Sequence, residues 1–438
     1  MYLTSLRVEN IKLFADQEFS FVGADGRPRL WTAVIGDNGV CKTTLLQLVA
    51  LAASGEKMAS RLAETAEQYR AADNAGVAAR FSATFALVAK GPPSIRSTLT
   101  AEPKRIDWQG ADQANYFDQT RGLVAHGGDF VAGYGVGRYL PRPGEVAVPA
   151  VPVLDRIGGL FNPRHKMLGV DFFEALGKRD PSLARSYAKR VREVLIAEDS
   201  SGDKLLPWLA TEELRGPRGP KNVVELLRSR VFQVTIGERM MVLGPSALSQ
   251  GYQSMVAWLT DLLGHAFLEF GDVDPALLEG VVLLDEIDLH LHPTWQRRIV
   301  PILRQVFPRL QFIVTTHSPL ALTGFARDEI IRLGIEDGKV VQREVTTEPG
   351  LRTGSELLGD FFGVPRAARP ELVKLEREYA SLAGRHRRSG GEEARLRELS
   401  KILHGYSADT ELPLPPVARQ AVAEPEPEDS GQTGGLGA

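Results

Sequence analysis

The segment Leu30–Thr44 (LWTAVIGDNGVCKTT) constrains the fold of this 438-residue chain more than any other feature. An apolar run leads into a glycine-containing loop, which is followed directly by Lys42 and two threonines. This order predicts a buried strand, a phosphate-binding loop and the first turn of a helix, the frame of the motif GxxxxGK(S/T). Gly36 occupies the first glycine position of that motif, whereas Cys41 stands where the last glycine is expected.

A phosphate-binding loop needs these residue types because backbone N–H groups and a helix N-terminus must converge on phosphate oxygens. Lys42 is expected to reach the β- and γ-phosphates, and the Thr43 hydroxyl to coordinate Mg²⁺. Two interpretations of Cys41 remain open: it is tolerated as a small residue, or it weakens or abolishes nucleotide binding. The predicted nucleotide-binding residues of the loop are Gly36, Asn38, Gly39, Cys41, Lys42, Thr43 and Thr44.

A second apolar run ends in two adjacent carboxylates, within residues 281–293 (VVLLDEIDLHLHP). Val281–Leu284 has the continuous aliphatic pattern of a parallel strand that is buried on both faces. Adjacent strand residues point to opposite sides of a sheet, so two neighbouring acids can have different roles. We expect Asp285 to hold Mg²⁺ and Glu286 to polarise the attacking water.

Two further motifs accompany the acidic pair. In LSQGYQS (248–254), Ser249 and Gly251 stand at the start of a helical pattern. A hydroxyl and a bare backbone N–H at a helix N-terminus can bind an anion, although Ser249 could also be an ordinary N-cap. FIVTTH (312–317) predicts a second buried strand, which ends in His317. His317 could donate a hydrogen bond to a γ-phosphate, or it could be a core histidine.

The order of these motifs resembles that of ABC-type ATPase heads, and LSQGYQS is similar to the ABC signature LSGGQ. The runs LTSLRVENIKLF, LLDEIDLHLHP and VTTHSP resemble the Rad50, SMC, RecF and OLD branch of that superfamily. Within the branch, the chain looks most like compact AAA_15/AAA_21 ATPases of bacterial anti-phage defence systems, such as the PARIS and Septu ATPases. The run LLGDFFGVPRAARPE is also similar to the C-terminal part of that group.

This resemblance implies an α/β fold: a P-loop ABC-type head with a mixed sheet, flanking helices, an inserted α-helical subdomain and a helical C-terminal extension. It also implies ATP and Mg²⁺ as cofactors, with ATP sandwiched between two heads. Ser249 and Gly251 of one subunit would touch the γ-phosphate held by the other, and His317 would sense it. The implied catalytic residues are Glu286 and His317, and the implied metal ligands are Thr43 and Asp285.

The chain departs from the family at Cys41 and in lacking a clear glutamine where a Q-loop is expected. The nearest equivalent is FVAGYGVGR (130–138), whose glycines permit a close backbone approach. Arg138, at its end, is a candidate phosphate-binding or interface residue, or else a surface cation.

The sequence predicts five regions. They are an N-terminal ATPase lobe (1–155), an inserted α-helical subdomain (156–240), a C-terminal ATPase lobe (241–350), a helical extension (351–405) and a disordered tail (406–438). The insertion is too short and too interrupted for the sustained heptads of a long coiled coil. The extension leaves no room for the Toprim domain of OLD-type nucleases, so we expect any effector to be a separate chain.

Composition restricts the cellular compartment in which we expect the protein. A single cysteine excludes an intrachain disulfide framework and fits a reducing compartment. We find neither a signal-peptide pattern nor an uncharged apolar run of about 18 residues. We therefore expect a cytoplasmic protein that neither spans nor binds a membrane, although these patterns are also compatible with a subunit docked to a membrane partner. A net charge of −3 does not decide nucleic-acid binding, because a local basic patch can be hidden in a balanced total.

Three functions remain open from the sequence. The first is a slowly hydrolysing ATPase that serves as sensor and regulatory scaffold of an anti-phage system. It would form a homo-oligomer through ABC-type dimers, respond to DNA or a phage trigger protein, and control a Toprim-like or HNH nuclease. The second is a RecF- or Rad50-like DNA-binding repair ATPase. The third is a nucleotide-poor scaffold with a degenerate P-loop, which Cys41 alone favours.

Overall fold

The computed structural model describes residues 1–54, 78–87, 94–102, 105–110, 130–139, 152–202, 232–236, 239–243, 250–364, 370–385 and 388–407, with a few isolated positions between them. Two compact units are present, Met1–Val364 and Pro365–Ala438. Ser249 and all but the first two residues of the predicted tail lie outside the described residues.

In chain order the described strands are β1 (Tyr2–Ile11), β2 (Phe14–Ser20), β3 (Trp31–Ile35), β4 (Ala79–Ala86), β5 (Ser94–Glu102), β6 (Arg105–Gly110), β7 (Phe130–Tyr134), β8 (Phe232–Ile236), β9 (Arg239–Leu243), β10 (Gly280–Leu284), β11 (Leu310–Thr315), β12 (Ile330–Glu336) and β13 (Lys339–Arg343). The described α-helices are α1 (Lys42–Ser54), α2 (Pro152–Ile157), α3 (Val170–Arg179), α4 (Pro181–Leu195), α5 (Gln250–Phe270), α6 (Pro293–Val306), α7 (Pro319–Leu322), α8 (Gly354–Phe362), α9 (Pro370–Ala383) and α10 (Gly390–Ser407).

A six-stranded mixed sheet forms the centre of the first unit. Its order is β13-β12-β3-β11-β10-β7, in which β12, β3, β11, β10 and β7 run parallel and β13 pairs antiparallel at the edge. All residues of β3, β10 and β11 are buried, which explains why these strands are mostly apolar. Thr32, Gln311 and Thr315 are the buried polar residues among them. An antiparallel sheet with the order β2-β1-β4-β5-β6 lies in the same unit, together with the hairpin β8-β9.

The central sheet separates two hydrophobic cores. Because strand side chains alternate, Val281 and Leu283 share a core with α1 and the antiparallel sheet. Val282 and Leu284 share the other core with α3, α4 and α5. The helix that follows the phosphate-binding loop is therefore packed between two sheets, and nearly all of its residues are buried.

This arrangement confirms the predicted fold class, a P-loop ABC-type head with a mixed sheet and flanking helices. The described part of the segment between β7 and α5 contains the helices α2, α3 and α4, and also the β8-β9 hairpin, which the sequence pattern does not predict. In the second unit, α9 and α10 pack through Tyr379, Leu382, Leu396 and Leu399. None of the helices described is both long and apolar enough to cross a membrane.

Candidate nucleotide-binding site

The loop between β3 and α1 contains three residues with positive φ. Gly36 has φ 147°, and a side chain there would collide with the carbonyl oxygen of Leu333. Gly39 has φ 85° and Cys41 has φ 63°. Cys41 therefore adopts a left-handed conformation that glycine reaches without strain and other residues do not. Its half-exposed thiol lies 3.7 Å from the carbonyl oxygen of Gly39.

Two lysines hold the loop and the start of α1. The Nζ of Lys42 donates to the carbonyl oxygens of Gly36 and Asp37, at 2.8 Å in each case. Burial is the main influence on this ammonium, and it lowers the pKa of Lys42. The Nζ of Lys12, from the turn between β1 and β2, donates to Thr44 Oγ1 at 2.7 Å. A nucleotide at this loop would therefore meet two ammonium groups rather than one.

Asp285 lies beside the start of α1 because of strand alternation. Leu284 faces the α5 side of the sheet, so the next side chain points toward α1. Thr43 Oγ1 donates to Asp285 Oδ2 at 2.8 Å, and Thr315 Oγ1 donates to Asp285 Oδ1 at 2.5 Å. A hydroxyl and a carboxylate in contact are oxygen ligands of the kind that Mg²⁺ prefers, so this pair fits a magnesium ion.

Glu286 leaves the strand in a left-handed conformation, with φ 49°. Its N–H donates to Thr315 Oγ1 at 2.7 Å. Its carbonyl oxygen accepts from Arg138 Nη2 at 2.6 Å and from the N–H of Leu289 at 3.0 Å. The residue is half-buried, and it lines the cavity beside the loop.

A cavity of about 330 Å³ brings most of the predicted site together. It is lined by Asn38, Gly39, Cys41, Lys42, Thr43, Thr44, Asp285, Glu286 and His317, and also by Lys12 and Thr315. His317 is exposed at the end of β11. Its role toward a γ-phosphate stays a prediction.

Among the predicted site residues that the structure describes, three do not line this cavity. Gly36 lies beneath the loop, where it packs against β12. Arg138 is 3% exposed, so it is not a surface cation. Gly251, in the first turn of α5, packs so closely on the loop after β10 that a Cβ there would collide with the carbonyl oxygen of His290. Contact of Gly251 with a nucleotide of a second subunit stays a prediction.

Sequence reasoning missed Thr315 and Lys12. Thr315 is the last residue of β11 and directly precedes Thr316 and His317, and the pairing of parallel β11 with β10 brings its hydroxyl to Asp285. The motif could have indicated it, because both strands end at the same edge of the sheet. Lys12 gives no local signal, since its position depends on a sheet formed with distant segments.

Comparisons with known proteins give a matching family model and sequence relatives. Residues 243–323 match a family model described as "AAA domain, putative AbiEii toxin, Type IV TA system". The chain is 25% identical over 413 residues to the Septu protein PtuA of Bacillus mycoides (strain KBAB4), covering 92% of this chain and 51% of that protein. It is 31% identical over 188 residues to the "Retron Vc95 probable ATPase" of Vibrio cholerae serotype O1 biovar El Tor, covering 41% of this chain and 35% of that protein.

A solved structure of an SMC head bound to the C-winged helix domain of ScpA also matches, with 13% identity and a TM-score of 0.45, covering 79% of this chain and 99% of that chain. The chain spans about half the length of the PtuA relative, and a smaller part of the retron ATPase. Together the sequence relatives confirm the resemblance to ABC-type ATPases of anti-phage systems.

Proposed function

We propose that this chain binds ATP with Mg²⁺ in the cavity beside the phosphate-binding loop, and hydrolyses it slowly as the ATPase of a bacterial anti-phage defence system. The observation that carries the proposal is the hydrogen bond between Thr43 and Asp285, at 2.8 Å. It joins two motifs 242 residues apart into one oxygen-rich site. The names of the Septu and retron relatives support the defence setting.

Each side chain has a definite task in this reaction. Lys42 exchanges its bonds to loop carbonyls for bonds to β- and γ-phosphate oxygens, and N–H groups at the start of α1 bind the same phosphates. Thr43 and Asp285 would hold Mg²⁺, which would neutralise phosphate charge. Glu286 takes a proton from water as the water oxygen attacks the γ-phosphorus.

The bond that breaks joins the γ-phosphorus to the oxygen shared with the β-phosphate, so ADP and inorganic phosphate leave. His317, on the rim of the cavity, donates a hydrogen bond to a γ-phosphate oxygen. The left-handed Cys41 slows the cycle by weakening phosphate binding at the loop.

We also propose how the subunits assemble and which partner they control. Two subunits would close on ATP, with Ser249 and Gly251 of one facing the phosphates bound by the other. The resulting homo-oligomer would control a separately encoded effector, a Toprim-like or HNH nuclease, in response to DNA or a phage trigger protein. We propose a cytoplasmic location for this assembly, without a membrane partner. Its support is the compact head with a short helical insertion, together with the Septu relatives.

Glu286→Gln tests the proposed function. The amide cannot take the proton, so we expect turnover to fall about 100-fold or more while ATP still binds. ATP should then hold the variant as a dimer, measured by light scattering with and without nucleotide. Lys42→Ala is the control, because it should lose both ATP binding and the ATP-dependent dimer.

Unchanged turnover in Glu286→Gln would contradict the catalytic assignment, and an unchanged oligomer would contradict the composite site. Phage protection that survives Lys42→Ala would favour the nucleotide-poor scaffold instead.

A further inference from the structure

Arg138 is a charged side chain enclosed beside the catalytic acids. It is 3% exposed, and its guanidinium is within electrostatic reach of Asp285, Glu286 and Asp288. Burial lowers the pKa of Arg138 to about 10, which still leaves it positively charged at neutral pH. Its Nε has no hydrogen-bond partner among the described residues. The one side-chain hydrogen bond described for Arg138 runs from Nη2 to the carbonyl oxygen of Glu286.

The hydrogen bond from Arg138 is made to Glu286, whose backbone is in a strained, left-handed conformation. A glutamate with positive φ persists only where its surroundings hold it there. The N–H of Glu286 is fixed by Thr315, and its carbonyl oxygen by Leu289 within the same turn. The N–H of Ile287 also donates to the carbonyl oxygen of Thr315, at 3.0 Å. Among the described residues, Arg138 makes the side-chain hydrogen bond that joins this turn to the loop after β7.

The loop that carries Arg138 is itself held by the inserted segment. A Cβ at Gly137 would collide with the carbonyl oxygen of Pro163, and one at Gly135 with the carbonyl oxygen of Gly159. The glycine spacing of GYGVGR is therefore explained by backbone packing against residues 158–163. A continuous chain of contacts runs from the inserted segment, through this loop and Arg138, to Glu286.

We propose that Arg138 is a positioning residue that holds the left-handed turn of Glu286 and links the setting of this catalytic acid to the inserted helical segment. Arg138 acts through Glu286 and does not bind nucleotide itself, because it is buried and does not line the cavity. The inference rests on the proposed function, since it assumes that Glu286 activates the attacking water.

A double-mutant cycle with Arg138→Gln and Glu286→Gln tests the proposal. Turnover, ATP affinity and melting temperature are measured for the wild type, both single variants and the double variant. In Arg138→Gln we expect turnover to fall about tenfold, with ATP affinity changed less than twofold. In the Glu286→Gln background, the same change should cause no further loss, because its effect passes through Glu286.

Arg304→Gln is the matched control. Arg304 pairs with Glu329, with Nη1–Oε1 at 3.0 Å, and its guanidinium lies 5.1 Å from the centre of the Trp31 ring. Its loss should lower the melting temperature while leaving turnover unchanged. If Arg138→Gln does not fold, Arg138→Lys takes its place in the cycle. The lysine keeps the charge and one donor, so we expect a smaller loss of turnover, about threefold.

The possible outcomes separate the two proposals. A loss of ATP affinity in both backgrounds would make Arg138 a phosphate ligand and overturn the inference. A lower melting temperature with normal turnover in the Arg138 variant would show that Arg138 has only a structural role, which would also overturn the inference. If Glu286→Gln is inactive and the Arg138 variants are normal, only the inference fails. If Glu286→Gln itself turns over normally, the proposed catalytic role fails first.

Discussion

Cys41 is the residue whose replacement we expect to change nucleotide affinity most directly. The loop around it has the positive φ angles of a phosphate-binding loop, and Cys41 takes φ 63° without the freedom of glycine. A left-handed conformation costs a non-glycine residue about 1–2 kcal/mol. The thiol also lines the cavity where phosphates would bind. Backbone strain and sulfur volume are thus two separate reasons to expect weak binding.

Replacing Cys41 by glycine removes both effects. We expect Cys41→Gly to bind ATP about fivefold more tightly, which corresponds to about 1 kcal/mol. Cys41→Ala is the matched control, because it keeps the strained backbone and loses only the sulfur. Titration calorimetry measures the ATP affinity of the wild type and both variants. If Cys41→Ala binds ATP as tightly as Cys41→Gly, the sulfur weakens binding. If Cys41→Ala binds ATP only as tightly as the wild type, backbone strain weakens binding. If glycine gives no gain, the loop accommodates the thiol.

Residue positions were predictable where one short pattern determined them. Alternation along β10 places Asp285 on the α1 side, so its meeting with Thr43 follows from the sequence. The burial of Arg138 and the approach of Lys12 do not follow, because each depends on contacts between segments far apart in the chain. The left-handed conformation of Cys41 could not be predicted either, because the sequence gives the residue type and not its φ angle.

Helix α5 packs tightly against the loop that follows Asp285 and Glu286. Gly251 stands one residue after the start of α5, against the carbonyl oxygen of His290. His290 is itself left-handed, with φ 62°. The next turn of this loop begins α6, where His292 accepts from the N–H of Thr294 as the N-cap. A shift of α5 would therefore move the loop that follows Asp285 and Glu286.

This packing makes Gly251 sensitive to a single methyl group. Gly251→Ala should displace either α5 or the loop, lowering the free energy of unfolding by about 1–3 kcal/mol and reducing turnover. Gly177→Ala in α3 is the matched helical control. An added Cβ there would meet Ala184 at 3.9 Å, an ordinary contact, so we expect unchanged or slightly increased stability.

Denaturant unfolding and ATPase assays of both glycine variants check this expectation. Equal stability of the two variants would mean that the contact between α5 and the loop relaxes at little cost, and that the two elements are not rigidly coupled.

At the level of the whole molecule, the fold class was predictable because strand–loop–helix motifs in a fixed order leave few alternatives. The limits of the regions were harder to place. The hairpin β8-β9 spans position 240, where the sequence suggested a boundary, and short strands with little periodicity give a weak signal. The division after Val364 follows from packing, since α8 belongs to the first unit and α9 and α10 form a small core of their own.

That small core offers a test of how independent the two units are. Leu399 is fully buried in α10, and Leu399→Glu would place a charge among the other three buried residues of this core, Tyr379, Leu382 and Leu396. We expect α9 and α10 to separate, because so small a core cannot absorb a cost of about 3 kcal/mol or more. Hydrogen exchange in the full chain should show rapid exchange in both helices. ATP affinity should stay at the wild-type value, because the nucleotide cavity is built entirely from the first unit.

Ala394→Glu provides the control, since it adds the same charge at an exposed position of the same helix and should leave exchange unchanged. A fall in ATP affinity in Leu399→Glu alone would show that the α9–α10 pair supports nucleotide binding by the first unit. Unchanged exchange in Leu399→Glu would show instead that the pair does not depend on its own core for its structure.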